Sequence, residues 1–255
     1  MKNILYFLSL LILIIGTEAI AKNDSCADSA TSTVAVLVDI SDPLDAPGSL
    51  AYQKLVDRIL VEAPDHSIVD VYKISVDSNA LGDPLFSACK SAPKSSNSLF
   101  SGEKYWEKKR HKEFYKPLRE ALIKQPDNDV KAKTSPILET IFNISLRSFW
   151  PGTKSNSGKV IVVSDFMQNS DLVSFYANRI PEYSAWRQGV DGRTWVRQFN
   201  NVTVEAVVIP RHGSNGLTIK GRDFFWNYLR DNFNCSSWRD LASSINKVQN
   251  TNGCK

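Results

Sequence analysis

Apolar runs of strand length alternate along the chain with apolar stripes at helical spacing. Residues Thr33 to Ile40 (Thr-Val-Ala-Val-Leu-Val-Asp-Ile) are nearly continuously apolar and β-branched, the pattern of a strand covered on both faces, as in a parallel sheet. Tyr52, Leu55, Val56, Ile59 and Leu60 then recur so as to make one helix face. Ser67 to Ile74 reads as a second strand, and Leu85 to Cys89 as a short antiparallel edge strand. The Ser-, Lys- and Pro-rich stretch from Lys90 to Gly102 is expected to be an exposed loop. Glu103 to Tyr115 follows as a charged helix, which Pro117 either kinks or restarts. Ile137, Leu138, Ile141, Phe142, Leu146 and Phe149 form the most regular helical stripe. Lys159 to Asp165 and Thr203 to Ile209 are two further buried strands, and Phe224, Phe225, Tyr228 and Leu229 mark the last long helix. Strands alternating with helices predict an α/β fold. The expected form is a Rossmann-like three-layer sandwich, with a mainly parallel central sheet, an antiparallel edge strand and helices on both faces.

The first residues follow a different pattern. Lys2 precedes an apolar run from Ile4 to Ile15, broken by Ser9, and Ala19-Ile20-Ala21 supplies small residues at the positions a signal peptidase reads. The run is shorter than the roughly 20 residues a membrane span needs. Residues 1–21 are therefore read as a signal peptide. Residues 22–255 are read as a single domain with its core at about 33–234 and a C-terminal tail at 235–255. No transmembrane helix is expected in the mature chain. That places the protein outside the cytoplasm, periplasmic in a bacterium or otherwise secreted.

With 42% hydrophobic and 23% charged residues among 255, the chain is neither collagen-like nor wholly disordered. Its net charge of +4 is too small to favour a nucleic-acid partner. Four cysteines, Cys26, Cys89, Cys235 and Cys254, suggest two disulfides in an exported chain. Cys26 enters the first strand at its amino end, where an antiparallel edge strand would deliver Cys89, and Cys235 and Cys254 bracket the tail. The favoured pairs are thus Cys26–Cys89 and Cys235–Cys254. No Cys-x-x-Cys spacing occurs and only three histidines are present, which argues against zinc chemistry. The glycine-bracketed stretch Gly152 to Gly158 precedes a strand rather than a helix, which rules out a phosphate loop. The basic run Lys108 to Lys112, with Trp106 and Phe114 nearby, reads as a solvated helix face.

Two buried strands end in an acid. The first leads into Asp39-Ile40-Ser41-Asp42-Pro43 and the later one into Ser164-Asp165-Phe166, while Thr134-Ser135-Pro136 stands just before the most apolar helix. Open parallel sheets place ligands at the carboxyl ends of their strands. Carboxylates and hydroxyls converging there would make an oxygen-only site suited to Mg²⁺, with Mn²⁺ or Ca²⁺ as substitutes.

Asp-x-Ser after the first strand, a Thr or Ser before a central helix and an Asp after a later strand resemble the von Willebrand factor A-type domains. The resemblance implies a metal-ion-dependent adhesion site, with Asp39 and Ser41 as first-loop ligands and Asp165 as the third-loop acid. Ser135 takes the second-loop position, with Thr134 as the alternative. Pro43 stands where the family's Asp-x-Ser-x-Ser loop has its last serine, so Asp42 or water would have to fill that place. The implied function is that of a protein-interaction module, not an enzyme, in which an acidic side chain of a partner protein completes the metal's coordination. Two alternatives stay open: a Mg²⁺-dependent hydrolase using the same acids, and a structural scaffold with a degenerate site.

Overall fold

The computed structural model describes residues 30–39, 46–74, 82–92, 102–123, 134–146, 158–176, 180–209, 218–240 and 248–250. Its sheet is built from β1 (Ser32–Asp39), β2 (Ser67–Ile74), β3 (Phe86–Lys90), β4 (Gly158–Ser164), β5 (Phe199–Val208), β6 (Phe233–Asp240) and β7 (Val248–Asn250), in the spatial order β3-β2-β1-β4-β5-β6-β7. The five central strands are parallel, whereas β3 and β7 run antiparallel at the two edges. The α/β sandwich expected from the sequence is therefore present. It gains a second antiparallel edge, because the stretch from residue 235 onward contributes most of β6 and all of β7 rather than a tail. Only Phe233, Ser236 and Trp238 of β6 are buried, and a strand that buries so few and such mixed residues gives no apolar run.

Side chains alternate along each strand, so the sheet feeds two cores. On one face Ala35, Leu37, Val160, Val162, Val204 and Ala206 pack in one cluster with Ile137, Leu138 and Ile141 of α4 (Ile137–Leu146) and Phe224, Phe225 and Tyr228 of α7 (Ile219–Asn232). On the other face Val34, Val36, Val38, Val69 and Val71 cluster with Leu55, Val56 and Ile59 of α1 (Ala46–Glu62). That second core also takes in Phe114, Leu118 and Leu122. These come from a continuous helical run made of α2 (Glu103–Arg110), a wide π-helical turn (His111–Tyr115) and α3 (Lys116–Ile123). Proline lacks an N–H and crowds the carbonyl four residues back. The backbone meets this just ahead of Pro117 with the wide turn, where the Lys116 amide donates to the His111 carbonyl.

Two polar side chains tie the second core together. Tyr52 Oη donates to the Leu122 carbonyl at 2.6 Å, joining α1 to α3, and burial pushes its phenol far above the usual range. Lys90, read from the sequence as the start of a loop, is instead the buried last residue of β3. Its Nζ donates to the carbonyls of Val61 at 3.2 Å and Ala63 at 2.5 Å. A cation thus satisfies carbonyls left open at the C-terminus of α1, where the helix dipole favours it.

A charged cluster lies further along the same face. Glu205 of β5, on the side of Val207, is 5% exposed. Arg58 Nη2 of α1 approaches it to 2.7 Å, Lys159 Nζ of β4 to 2.9 Å and Arg239 Nε of β6 to 3.4 Å. Burial alone would raise the Glu205 carboxyl, but Lys159 and Arg58 outweigh it and hold the group below its ordinary value.

Candidate functional site at the carboxyl end of the sheet

β1 and β4 are adjacent and parallel, with Val38 opposite Val163. Each strand adds one more residue, Asp39 and Ser164. Asp39 follows the alternation of Ala35 and Leu37, and Ser164 that of Val160 and Val162, so both face α4. The Ser164 hydroxyl donates to Asp39 Oδ2 at 2.8 Å. The Ser135 hydroxyl donates to the same oxygen at 2.9 Å. Three segments distant in sequence therefore converge on one carboxylate, and all three side chains are buried.

Ser135 is held there by backbone. Its amide donates to the Asn169 carbonyl at 2.7 Å and its carbonyl accepts from the Asn169 amide at 3.0 Å, an isolated antiparallel bridge. The loop after β4 thus clamps the segment just ahead of α4. Ser164 has a second task, accepting from the Phe166 amide at 2.9 Å. Asp165 Oδ1 accepts from the Met167 amide at 2.9 Å. Phe166, whose own amide is the first of these donors, has φ of 58°, a conformation that is rare for an aromatic residue. Its ring offsets that strain in the first core, 5.0 Å from Phe225 and 4.8 Å from Trp238 between centroids.

Asp39 and Ser135, both expected as site residues, are in direct contact. Asp165 is buried immediately beyond Ser164, with one oxygen turned to the amide of its own loop. The Thr134 hydroxyl is buried and makes no hydrogen bond among the described residues, so Ser135 is the hydroxyl that reaches Asp39. Ser41 and Asp42, with Pro43, lie outside the described residues.

Ser164, Gln168 and Glu139 were not singled out by the sequence. The alternation Val160, Val162, Ser164 carries the signal for the first. Gln168 is fully buried: its Nε2 donates to Glu139 Oε2 at 2.9 Å and to Ser170 Oγ at 2.8 Å, while its Oε1 accepts from the Leu138 amide at 3.0 Å. One side chain thus fastens the loop after β4 to the first turn of α4. A polar residue in a loop gives no such indication before the fold is known.

Among the described residues no group of three or more His, Cys, Asp or Glu side chains has the arrangement of a metal site. Asp39 with the hydroxyls of Ser135 and Ser164 is an oxygen-only donor set, the hard kind that suits Mg²⁺. Of the cysteines, Cys89 and Cys235 are described and neither is a free thiol. They stand on β3 and β6, with four strands between them, so they are not bonded to each other. Cys26 and Cys254 lie outside the described residues. The basic run behaves as a solvated face: Lys109 Nζ sits 5.3 Å over the Trp106 ring while Phe114 turns into the core. No helix among the described residues is long and apolar enough to cross a membrane.

No family model matches the chain, and no curated protein does. Among solved structures, the chain is similar to an aerotolerance-related membrane protein from Bacteroides fragilis carrying multiple mutations to serines. The identity is 15%, over 79% of this chain and 89% of that one, with a TM-score of 0.34.

Proposed function

We propose that this chain is an exported protein-interaction module of von Willebrand factor A type, which binds an acidic partner through a Mg²⁺ site at the carboxyl end of its sheet. The observation that carries the reading is the convergence of Ser135 and Ser164 on Asp39 Oδ2 at the tips of adjacent parallel strands. That is where loops of an open sheet hold ligands. Asp39, Ser135 and Asp165 would hold the ion, with Ser41 and Asp42 following in the first loop and Thr134 beside Ser135. The donors to Asp39 described above are hydroxyls, which hold the carboxylate in one orientation. A partner's carboxylate would then add a charge-assisted contact to an otherwise ordinary interface.

A metal-free scaffold is the competing reading. It is favoured by Asp165 Oδ1 capping its own loop and by Asp39 Oδ2 serving two hydroxyls. Thermal unfolding with and without Mg²⁺, Mn²⁺ or Ca²⁺ separates the two. At 100 times the dissociation constant a bound ion adds about 2.7 kcal/mol, roughly 5–10 °C in Tm for a chain of this size. The shift should vanish in Asp165→Asn. No shift with any of the three ions would leave the scaffold.

Export is tested by the mature N-terminus, expected at Lys22. It also bears on the cysteines. Thr33 and Cys89 flank Ile68 in the sheet register, at the amino end of β1. Asn250 faces Ser237 on the β6–β7 pair, so β7 runs back toward Cys235. Both registers support the pairs Cys26–Cys89 and Cys235–Cys254, and non-reducing peptide mapping that returned Cys26–Cys235 would refute them.

A further inference from the structure

A second polar feature lies at the opposite end of the molecule. α7 ends at Asn232 and β6 begins at Phe233, so the last turn of α7 stands at the amino end of the parallel strands, away from Asp39. There it flanks α5 (Tyr183–Gln188), which is followed directly by α6 (Val190–Trp195). Between α5 and α7 runs an open groove of about 800 Å³ whose lining includes Arg187, Arg193, Arg230 and Asn227.

Its two acids are already engaged. Asp231 is largely buried; Arg187 Nη1 approaches it to 2.8 Å and Arg230 Nε to 3.5 Å, and it accepts from Tyr183 Oη at 3.0 Å. Burial and the neighbouring Asp231 raise the Tyr183 phenol far above the usual range, so that hydroxyl stays a donor. Glu182 at the rim is paired with Lys220 at 3.0 Å. Asp231 therefore works as a hub that orients two guanidiniums. Arg193 meets no carboxylate among the described residues and donates through Nε to the Gln188 carbonyl at 2.9 Å. Its position is fixed by Gly192, where a Cβ would collide with the Trp186 carbonyl and the Arg187 backbone. The tight turn holds Arg187 and Arg193 on neighbouring short helices.

We infer that this groove binds an acidic segment of a partner protein, its carboxylates seated on Arg193 and on the outer edges of Arg187 and Arg230. Planar guanidiniums match carboxylates two hydrogen bonds at a time, and holding them in place beforehand lowers the ordering cost of binding. The site is independent of the metal reading, since none of its residues touches Asp39, Ser135 or Asp165.

The test uses a fluorescein-labelled hexaglutamate peptide and fluorescence anisotropy on the full mature chain at low salt in EDTA, which removes any divalent ion from the strand tips. Saturable binding is expected, weakening as salt is raised. Arg193→Gln, which leaves the Asp231 hub intact, should weaken it about fivefold, the equivalent of about 1 kcal/mol. The double variant Arg187→Gln/Arg193→Gln should abolish it, whereas Arg119→Gln, at the exposed pair with Asp57, should leave it unchanged. Unaltered affinity in an Arg193→Gln protein with wild-type melting temperature would overturn the proposal. So would an equal loss in Lys108→Gln/Lys112→Gln, which would assign the binding to the basic helix.

Discussion

Asp39 on β1 and Glu205 on β5 are both buried carboxylates on the parallel sheet, and they are satisfied by opposite kinds of partner. Glu205 is met by three cations, Arg58, Lys159 and Arg239, so its charge is neutralised where it stands. Asp39 is met by the hydroxyls of Ser135 and Ser164, which give hydrogen bonds without charge. Leaving a charge buried without compensation costs several kcal/mol. The Glu205 cluster therefore ties β4, β5, β6 and α1 together by charge, whereas the hydroxyls on Asp39 tie the tips of β1 and β4 to the segment before α4 by hydrogen bonds.

Four measurements can break or sharpen that contrast. The largest effect is expected for Glu205→Gln, which leaves three cations without their acid. Urea unfolding should show a loss of about 2–4 kcal/mol, moderated by the partial exposure of Lys159 and Arg239. A loss well below this would mean that Glu205 is not the structural partner described. Asp39→Ala removes the acceptor of two buried hydroxyls and should cost about 1–3 kcal/mol, with Ser164→Ala costing about 1 kcal/mol. If Asp39→Ala instead raised stability, the carboxylate would be strained by its surroundings, which would strengthen the case for a cation binding there.

The third measurement is pH. Glu205 is held below its ordinary value of 4.5, so its contribution is complete above that value and fades as pH falls through the lower value of the folded state. Glu205→Gln should accordingly flatten the stability profile between about pH 5 and 3. A parallel profile in the variant would place the acid-sensitive group elsewhere. The smallest effect is expected at the exposed pair Arg119–Asp57, 2.6 Å apart with both side chains about half exposed. Arg119→Ala should change stability by less than about 1 kcal/mol, giving a baseline for an ion pair that water screens.

The sequence revealed the parts of this molecule that are apolar on two sides. β1 and β4 show as β-branched runs because helices cover both their faces, and α4 and α7 show as stripes because one side packs on the sheet. β6 was hidden because an outer strand buries few residues: Asn234 is exposed and the buried Trp238 is an isolated aromatic. The short helices α5 and α6 lack an apolar period, and their turn is held by Gly192 against the Trp186 carbonyl, a contact no local pattern announces. At the candidate site, Asp39 and Ser135 were legible because an acid at a strand tip and a hydroxyl before a helix are local features. Gln168 was not, because its role comes from reaching Glu139 and the Leu138 amide after the loop has closed.

The Asp39 knot also shapes how the chain reaches its native state. Its two hydrogen bonds join residues 96 and 125 positions apart, and β1 has β2 on one side but must wait for β4 on the other. Loop-closure entropy delays contacts of such high sequence separation. The amino-terminal half can therefore offer only a three-stranded fragment with one flank open. Closure of the strand tips around Asp39 therefore waits for β4 to dock.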